Sequence, residues 1–414
     1  MSADRPTALA RVRIPFWTIA CFSILALIGI AAFVTGISGP DALRWWQAYL
    51  VNFLFWSGLS SGQACFLAVM NMAEAQWARP LKRLSEALGA CLPVVLVLFG
   101  VLHFGKGYLF PWILHPVPGK EAWLNWPFLF ARDGGGLLLL SLLSLGMICS
   151  SVKSDYQWSK ENGAGSIIRE QKVLRSWERS WRMQKVLSPM IAIAYAFVLS
   201  LLGFDLVMSL DPHWYSTLFG GYFFVGSFYT GIAGLSLLAL LTKNVEAFRG
   251  RFEPHHFHDI GKLLLAFCLF TGYLFYAQFL VIWYANIPEE TRYVILRVKL
   301  TPWEPLAWMV LFMIFVVPLA TLLSRKVKLL RVPMAFLSLL ILAGLWLERF
   351  ILVAPSLWTQ DTIPLGLTEL LVTAGFVGIV GLSGSAFLRM VPALPVSDPL
   401  FIKAVESPAR RLAP

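Results

Sequence analysis

Ten long apolar runs, separated by mostly short polar links, follow one another along the chain. A helix needs about 20 mostly apolar residues to cross roughly 30 Å of hydrocarbon, and each run meets that length. The pattern predicts spans at 14–36, 45–71, 86–111, 127–151, 186–210, 216–242, 260–285, 303–324, 330–353 and 366–390. Longer connections fall near 112–126, 152–185, 243–259 and 286–302. Nothing left over is large enough for a soluble domain. The chain therefore reads as a single all-α integral membrane domain over 1–414 with ten transmembrane helices.

Composition agrees, since 58% of residues are hydrophobic and 14% charged, against about 45–50% and about 25% in soluble domains. The formal charge of +11 would suggest acidic partners such as nucleic acid in a soluble protein. Its distribution gives another meaning. Of 34 Lys and Arg, 26 fall on the side that holds the termini and the even-numbered loops. Short loops rich in Lys and Arg stay in the cytoplasm, so both termini are expected there, 391–414 as a cytoplasmic tail. With the carboxylates included, the basic side carries +14 and the opposite side −3. The charge is a topology signal, and nucleic acid is set aside.

The basic start up to Arg13 and the apolar run after it imitate a signal peptide, but the run is too long for an h-region. It reads as a retained signal anchor. Cys21, Cys65, Cys91, Cys149 and Cys268 sit singly in five spans, with no CxxC or CxxCH spacing, so they read as small core residues and not as ligands.

The second and sixth spans align without gaps, from Phe53 to Ala64 against Tyr222 to Ala233. Gly89 and Gly100 match Gly261 and Gly272, and Trp126-Pro127 and Trp303-Glu304-Pro305 both open the next span in line. These matches predict a parallel repeat of two four-helix bundles, spans 2–5 and 6–9, with spans 1 and 10 peripheral; chance similarity of glycine-aromatic helices is the alternative. Gly58 and Gly62, like Ser227 and Gly231, have small-xxx-small spacing that lets helices approach closely. Between the bundles, 152–185 reads as a cytoplasmic amphipathic connection. Ser166 is its N-cap, Ile167, Leu174, Trp177 and Trp181 its apolar face, and Arg169, Lys172, Arg175, Arg179 and Arg182 its cations. Such a helix would lie in the headgroup layer or dock another subunit.

Charge inside a span costs at least about 2.5–3.5 kcal/mol at the centre and asks for a function. Most such groups lie toward the acidic side: His103, Lys106, Arg132, Asp133, Asp205, Asp211, His213, Glu304, Glu348, Arg349 and Glu369. Glu74, Glu86 and Lys262 lie in the basic halves. Glu304, Glu369, Asp211 and His213 could equally sit in water at helix ends, and Arg349 could snorkel outward. His103, Asp133 and Asp205 adjoin long apolar runs and stand for either a structural buried pair or a polar pocket. His255, His256 and His258 lack a second ligand cluster and read as a helix start capped by Asp259, in preference to a metal site.

The run from Phe204 through Asp211-Pro212-His213-Trp214 to Gly220 looks like a family signature. So does His258-Asp259-Ile260-Gly261-Lys262-Leu263-Leu264, continued by Gln278, Ile282-Trp283-Tyr284-Ala285-Asn286 and Pro288-Glu289-Glu290-Thr291. Both resemble the NrfD/PsrC-like membrane subunits, most closely the ActF branch, the second quinone-binding subunit of alternative complex III (quinol:cytochrome c oxidoreductase). The resemblance implies ten helices and two four-helix bundles in a bacterial cytoplasmic (inner) membrane, working with the quinol pool. It implies partners: an iron–sulfur subunit, multihaem cytochrome c subunits and a second NrfD-like subunit, which would carry the haem c and iron–sulfur clusters. This chain would hold no cofactor by covalent attachment or metal ligation, with quinol as its possible substrate. Quinol oxidation releases two electrons and two protons, the protons passing to carboxylates or histidine near the outer face. The expected quinol or proton-pathway residues are His103, Asp133 and Asp205, with Asp211, His213 and Glu304 nearer the surface and Lys106 and Arg132 alongside. A purely structural docking subunit and, from a different class, a secondary transporter are the other readings; transporter sites favour interrupted helices at the midplane, and few spans here look broken.

Overall fold

The computed structural model describes residues 11–161, 167–358 and 360–406. The α-helices follow in chain order: α1 (Phe16–Gly36), α2 (Ala42–Met72), α3 (Lys82–Gly89), α4 (Leu92–Leu109), α5 (Trp126–Glu161), α6 (Ile167–Leu206), α7 (Leu218–Thr242), α8 (Pro254–Ala285), α9 (Pro288–Val298), α10 (Glu304–Leu311), α11 (Val317–Leu322), α12 (Arg325–Leu329), α13 (Arg331–Leu357), α14 (Leu367–Met390) and α15 (Pro399–Glu406). Among the described residues, ten helical stretches are long and apolar enough to cross a membrane, α3–α4 and α10–α11 each making one. No strand occurs among them, only an isolated bridge between Arg11 and Pro392. In lipid every backbone polar group must be satisfied internally, so an all-helical solution is required of such a sequence.

Two rings of four spans form the core. α2, α3–α4, α5 and α6 pack in sequence around one ring, and α7, α8, α10–α11 and α13 around the other. α2 and α7 join the rings and are the most enclosed spans, 89% and 78% buried over their apolar windows. α1 rides on α14, and α14 on α2, which makes the first and last spans peripheral. The joint has a local cause. A Cβ on Gly62 would stand 2.8 Å from the Ser227 carbonyl oxygen, and one on Gly58 2.9 Å from Ser227 Oγ; Gly231 meets Gly62 in return. Gly58 and Ser227, like Gly62 and Gly231, are partners in the sequence repeat. Equivalent positions therefore face each other, as expected of parallel helices about a two-fold axis along them.

Pro189 lies inside α6, and at two further prolines other side chains take up the freed carbonyls. Pro318 has no N–H for the carbonyl of Ile314, and the helix widens into a π-turn over Phe312–Val316. There the Tyr229 hydroxyl donates to the Ile314 carbonyl at 3.2 Å, and Cys268 Sγ to that of Phe315 at 3.5 Å. Pro355 likewise leaves the Ile351 carbonyl open, and buried Arg297 donates to it from Nε at 3.1 Å and to that of Leu352 from Nη2 at 3.1 Å. A third break separates α3 from α4 at Ala90 and Cys91. More spans are broken than the hydropathy suggests, but the carbonyls freed at Ile314 and Ile351 are capped by protein.

Several expectations change. The segment 167–185 is no separate in-plane helix: it is the first part of the 40-residue α6, about 60 Å long at 1.5 Å per residue. Its Trp177 and Trp181 stack on each other, and Arg79 lies over Trp181. Ser166 lies outside the described residues. The 391–414 tail is not free at its start, because Val391–Asp398 is buried and leads into α15. α8 begins at Pro254 with Glu253 as its cap, its side chain and that of His256 each meeting the other's backbone, so Asp259 lies a turn inside. Cys21 and Cys149 are exposed, and the other three cysteines are buried.

Candidate functional site

α5 opens at Trp126, which lies against Phe110 and Phe130, and its next two turns carry the acidic-side chemistry. Arg132 and Asp133 are adjacent and so point to different sides of the helix. Arg132 donates from Nε to Asp205 Oδ2 at 2.7 Å, with Nη2 at 2.6 Å from the same oxygen. Its guanidinium lies in the corner of two perpendicular aromatic rings, 3.9 Å from the ring centroid of Trp123 and 4.6 Å from that of Phe128. Trp123 Nε1 donates to the other Asp205 oxygen at 3.0 Å. Asp205 comes from the last turn of α6 and is fully buried. The 112–126 loop that brings Trp123 is held by Lys120, whose Nζ donates to the Pro212 carbonyl at 2.5 Å.

Asp133 is buried beside this pair, and its carboxyl interacts with the Asp205 carboxyl and the Arg132 guanidinium. Neither of its oxygens accepts from an N–H or hydroxyl donor, which leaves the Asp205 carboxyl as its side-chain partner. Buried polar atoms are nearly always satisfied. One guanidinium for two carboxyls leaves room for an exchangeable proton, which the two acids hold as a pair. Glycines follow at 134–136, and a Cβ at Gly134 would meet Phe99 at 3.3 Å.

His103, on α4, faces the same stripe of α5 one to two turns nearer the helix start. Its Nδ1 accepts from Trp126 Nε1 at 3.2 Å, and its ring meets Phe130 edge-on. Lys106 Nζ lies 6.0 Å from the Trp126 ring centroid. Trp126, Phe130 and Asp133 recur at helical spacing, so α5 links exposed His103 to the buried acids. Five of the eight expected residues, His103, Lys106, Arg132, Asp133 and Asp205, thus gather around α5. The other three do not. Asp211 is half-buried and acts on Tyr293 and Arg297 in the second bundle. His213 is exposed, and Glu304 is half-buried at the start of α10 with no side-chain hydrogen bond or ion pair among the described residues.

Two readings of isolated charges are corrected. Arg349 does not snorkel: it is buried, 4.1 Å over the Phe223 ring, with Nη2 3.4 Å from both the Phe223 carbonyl and Ser227 Oγ. Its neighbour Glu348 accepts a hydrogen bond from the Tyr222 hydroxyl. Glu369 does not sit in water either, since Arg44 donates to both its oxygens at 2.8 and 2.7 Å and Gly366 N–H to one at 2.7 Å.

Sequence reasoning missed a second cluster, on the basic side. Arg79, Lys82, Arg83 and Glu86 recur at helical spacing and are all buried with Asp155 and Asp398. Arg83 pairs with Glu86 and Asp155; Arg79 and Lys82 both reach Asp398 at 3.2 Å. The Ser397 N–H donates to Asp155 at 2.7 Å, and Ser154 and Ser397 are joined at 2.9 Å. Burial by itself would raise the Asp398 pKa, but Lys82 and Arg79 outweigh it and hold it below the usual carboxylate range. Three cations thus meet three carboxylates under a lid made by the C-terminal segment. The one-sided spacing from 79 to 86 was the available signal, hidden among loop charges.

These features define a multi-pass integral membrane protein built of two four-helix bundles, with ionisable groups concentrated at membrane depth near both faces. The family described as polysulphide reductase, NrfD, matches residues 36–360, and the chain belongs to that family of integral membrane subunits of redox complexes. The matched stretch contains both bundles and leaves α1 and α14 outside. No curated protein matches the chain.

Proposed function

We propose that the chain serves a respiratory complex of the alternative complex III type, in a bacterial inner membrane, contributing to quinol oxidation or to the movement of the protons it releases. The single observation that carries this reading is the buried Asp133–Asp205 pair, with Arg132 bonded to Asp205 and no N–H or hydroxyl group donating to Asp133. A quinol hydroxyl needs an acceptor for its proton as its electrons leave, and a carboxylate at membrane depth can take that proton. Asp205 is held by Arg132 and Trp123, which fixes its orientation, and Asp133, to which no N–H or hydroxyl group donates, is the acceptor. His103, bonded to Trp126 and reachable from outside the bundle, stands where a proton would pass between the acids and the surface. Electrons would leave through an iron–sulfur subunit toward multihaem cytochrome c, a second NrfD-like subunit completing the assembly.

Purification of the tagged protein from its native membrane tests this. Co-purifying c-type haem and iron–sulfur signals that become reduced on adding quinol are the expected result. A preparation without redox partners, or one whose haems stay oxidised with quinol, would remove the proposal.

A further inference from the structure

A groove of about 810 Å³ opens on the basic side, away from the acid pair. Its walls come from the second half of α5 (Leu145, Ile148, Cys149, Val152) and the last turns of α14 (Ala386, Phe387). The α5 wall continues through Lys153 to Gln157, about 18 Å from Leu145 at 1.5 Å per residue. That is close to the depth of a single leaflet, half of roughly 30 Å of hydrocarbon. The lining is apolar along most of this length, with Ser383 as one hydroxyl on the α14 wall, and its polar end nearer the surface is formed by Lys153, Tyr156 and Gln157.

The polar end has a specific charge. Tyr156 donates to the Met390 carbonyl and Gln157 accepts from Ser176, so both already have partners. Lys153 is exposed and makes no ion pair among the described residues. The carboxylate nearest to it along α5, Asp155, is turned inward to Arg83. Arg389, beside the lining residue Met390, is exposed and donates from Nη2 to the Ile14 carbonyl at 3.3 Å without an ion pair, and Arg11 is bridged to Pro392 next to the lining residue Val391. An apolar trough one leaflet deep, ending in cations without counter-charge, is complementary to one ligand chemistry. We propose that this groove binds an anionic phospholipid, its acyl chains along the α5 and α14 walls and its headgroup at Lys153, with Arg389 and Arg11 at the rim. The lipid would fill the seam between the first bundle and peripheral α14, beside the buried C-terminal segment.

The test uses the full chain with whatever subunits co-purify, stripped of lipid in detergent and offered phosphatidylglycerol or phosphatidylcholine. Retained lipid is counted by native mass spectrometry. Wild-type protein should keep phosphatidylglycerol in preference to phosphatidylcholine. Lys153→Gln should cut that preference roughly fivefold, as expected for one surface lysine near anionic lipid. Ala386→Trp, which fills the trough, should reduce retention of both lipids. Lys153 is exposed, so its variant remains readable if the tryptophan variant does not fold. An unchanged preference in Lys153→Gln would overturn the proposal. So would an Ala386→Trp protein that keeps its lipid but sheds a co-purifying subunit, which would assign the groove to a partner helix.

Discussion

Arg132→Met removes a charge while keeping an unbranched apolar stem against Trp123 and Phe128. In the native protein the guanidinium is 2.6 Å from Asp205, with side-chain exposures of 10% and 0%. Deleting one partner of such a buried pair strands the other charge and costs about 3–5 kcal/mol. Here the stranded group is one of two adjacent carboxyls, which puts the expected loss at the upper end. Asp205→Asn keeps the volume and the Trp123 contact and relieves the crowding of acids, although Arg132 then retains only Asp133. The double variant should therefore lose about 2–3 kcal/mol less than the sum of the two single ones. Equilibrium unfolding in mixed micelles, followed by helix loss, measures all three. Additivity within about 0.5 kcal/mol would refute the reasoning, because it would mean that the pair is not coupled.

Three further outcomes follow from other parts of the fold. Gly62→Ile forces side-chain atoms into the α2–α7 joint, where a Cβ already stands 2.8 Å from a carbonyl oxygen; overpacking of this kind costs about 1–3 kcal/mol, and a thermal melt should show it while Gly100→Ile, in open space, changes little. Arg297→Met leaves the Ile351 carbonyl without a donor and should destabilise by about 1–3 kcal/mol; a melt close to wild type would contradict that role. Asp398 has a folded pKa below its unfolded one, so its contribution to docking of the C-terminal segment is fully present above the unfolded value of about 3.9 and fades as pH falls through the folded value. Hydrogen exchange over 391–406 should rise in Asp398→Asn at neutral pH, and an unchanged profile would show that the ion pairs do not hold the segment.

The spans and their grouping were legible because apolar length and the Gly58/Gly62 and Ser227/Gly231 spacing are local properties of the chain. Asp133 and Asp205 were legible for a related reason: a carboxylate beside long apolar runs has few innocent explanations. What was not legible depends on contacts distant in sequence. Trp123 sits in a loop with no periodicity, and only the fold brings it to Asp205. Arg297 looks like an ordinary loop cation until Pro355 opens a carbonyl more than fifty residues away. For Glu369 a place in water and for Arg349 a snorkelling one stayed open, because helix-end position says nothing about the neighbouring helix that buries them. Arg79, Lys82 and Arg83 were counted as loop cations, although their spacing with Glu86 already put them on one helical face. The break at Ile314 needed the three-dimensional partners Tyr229 and Cys268 before it could be recognised as structural.

The central claim is that the buried acids between α5 and α6 accept the protons of quinol oxidation. Quinol-driven reduction of the c-type acceptor, measured on the assembled complex carrying Asp133→Asn, tests it most directly. Losing a positioned proton acceptor costs about 10²–10⁴-fold, so turnover should fall by about 100-fold or more while subunit content and haem spectra stay as in wild type. Wild-type turnover and wild-type proton release in a fully assembled Asp133→Asn complex would contradict the account.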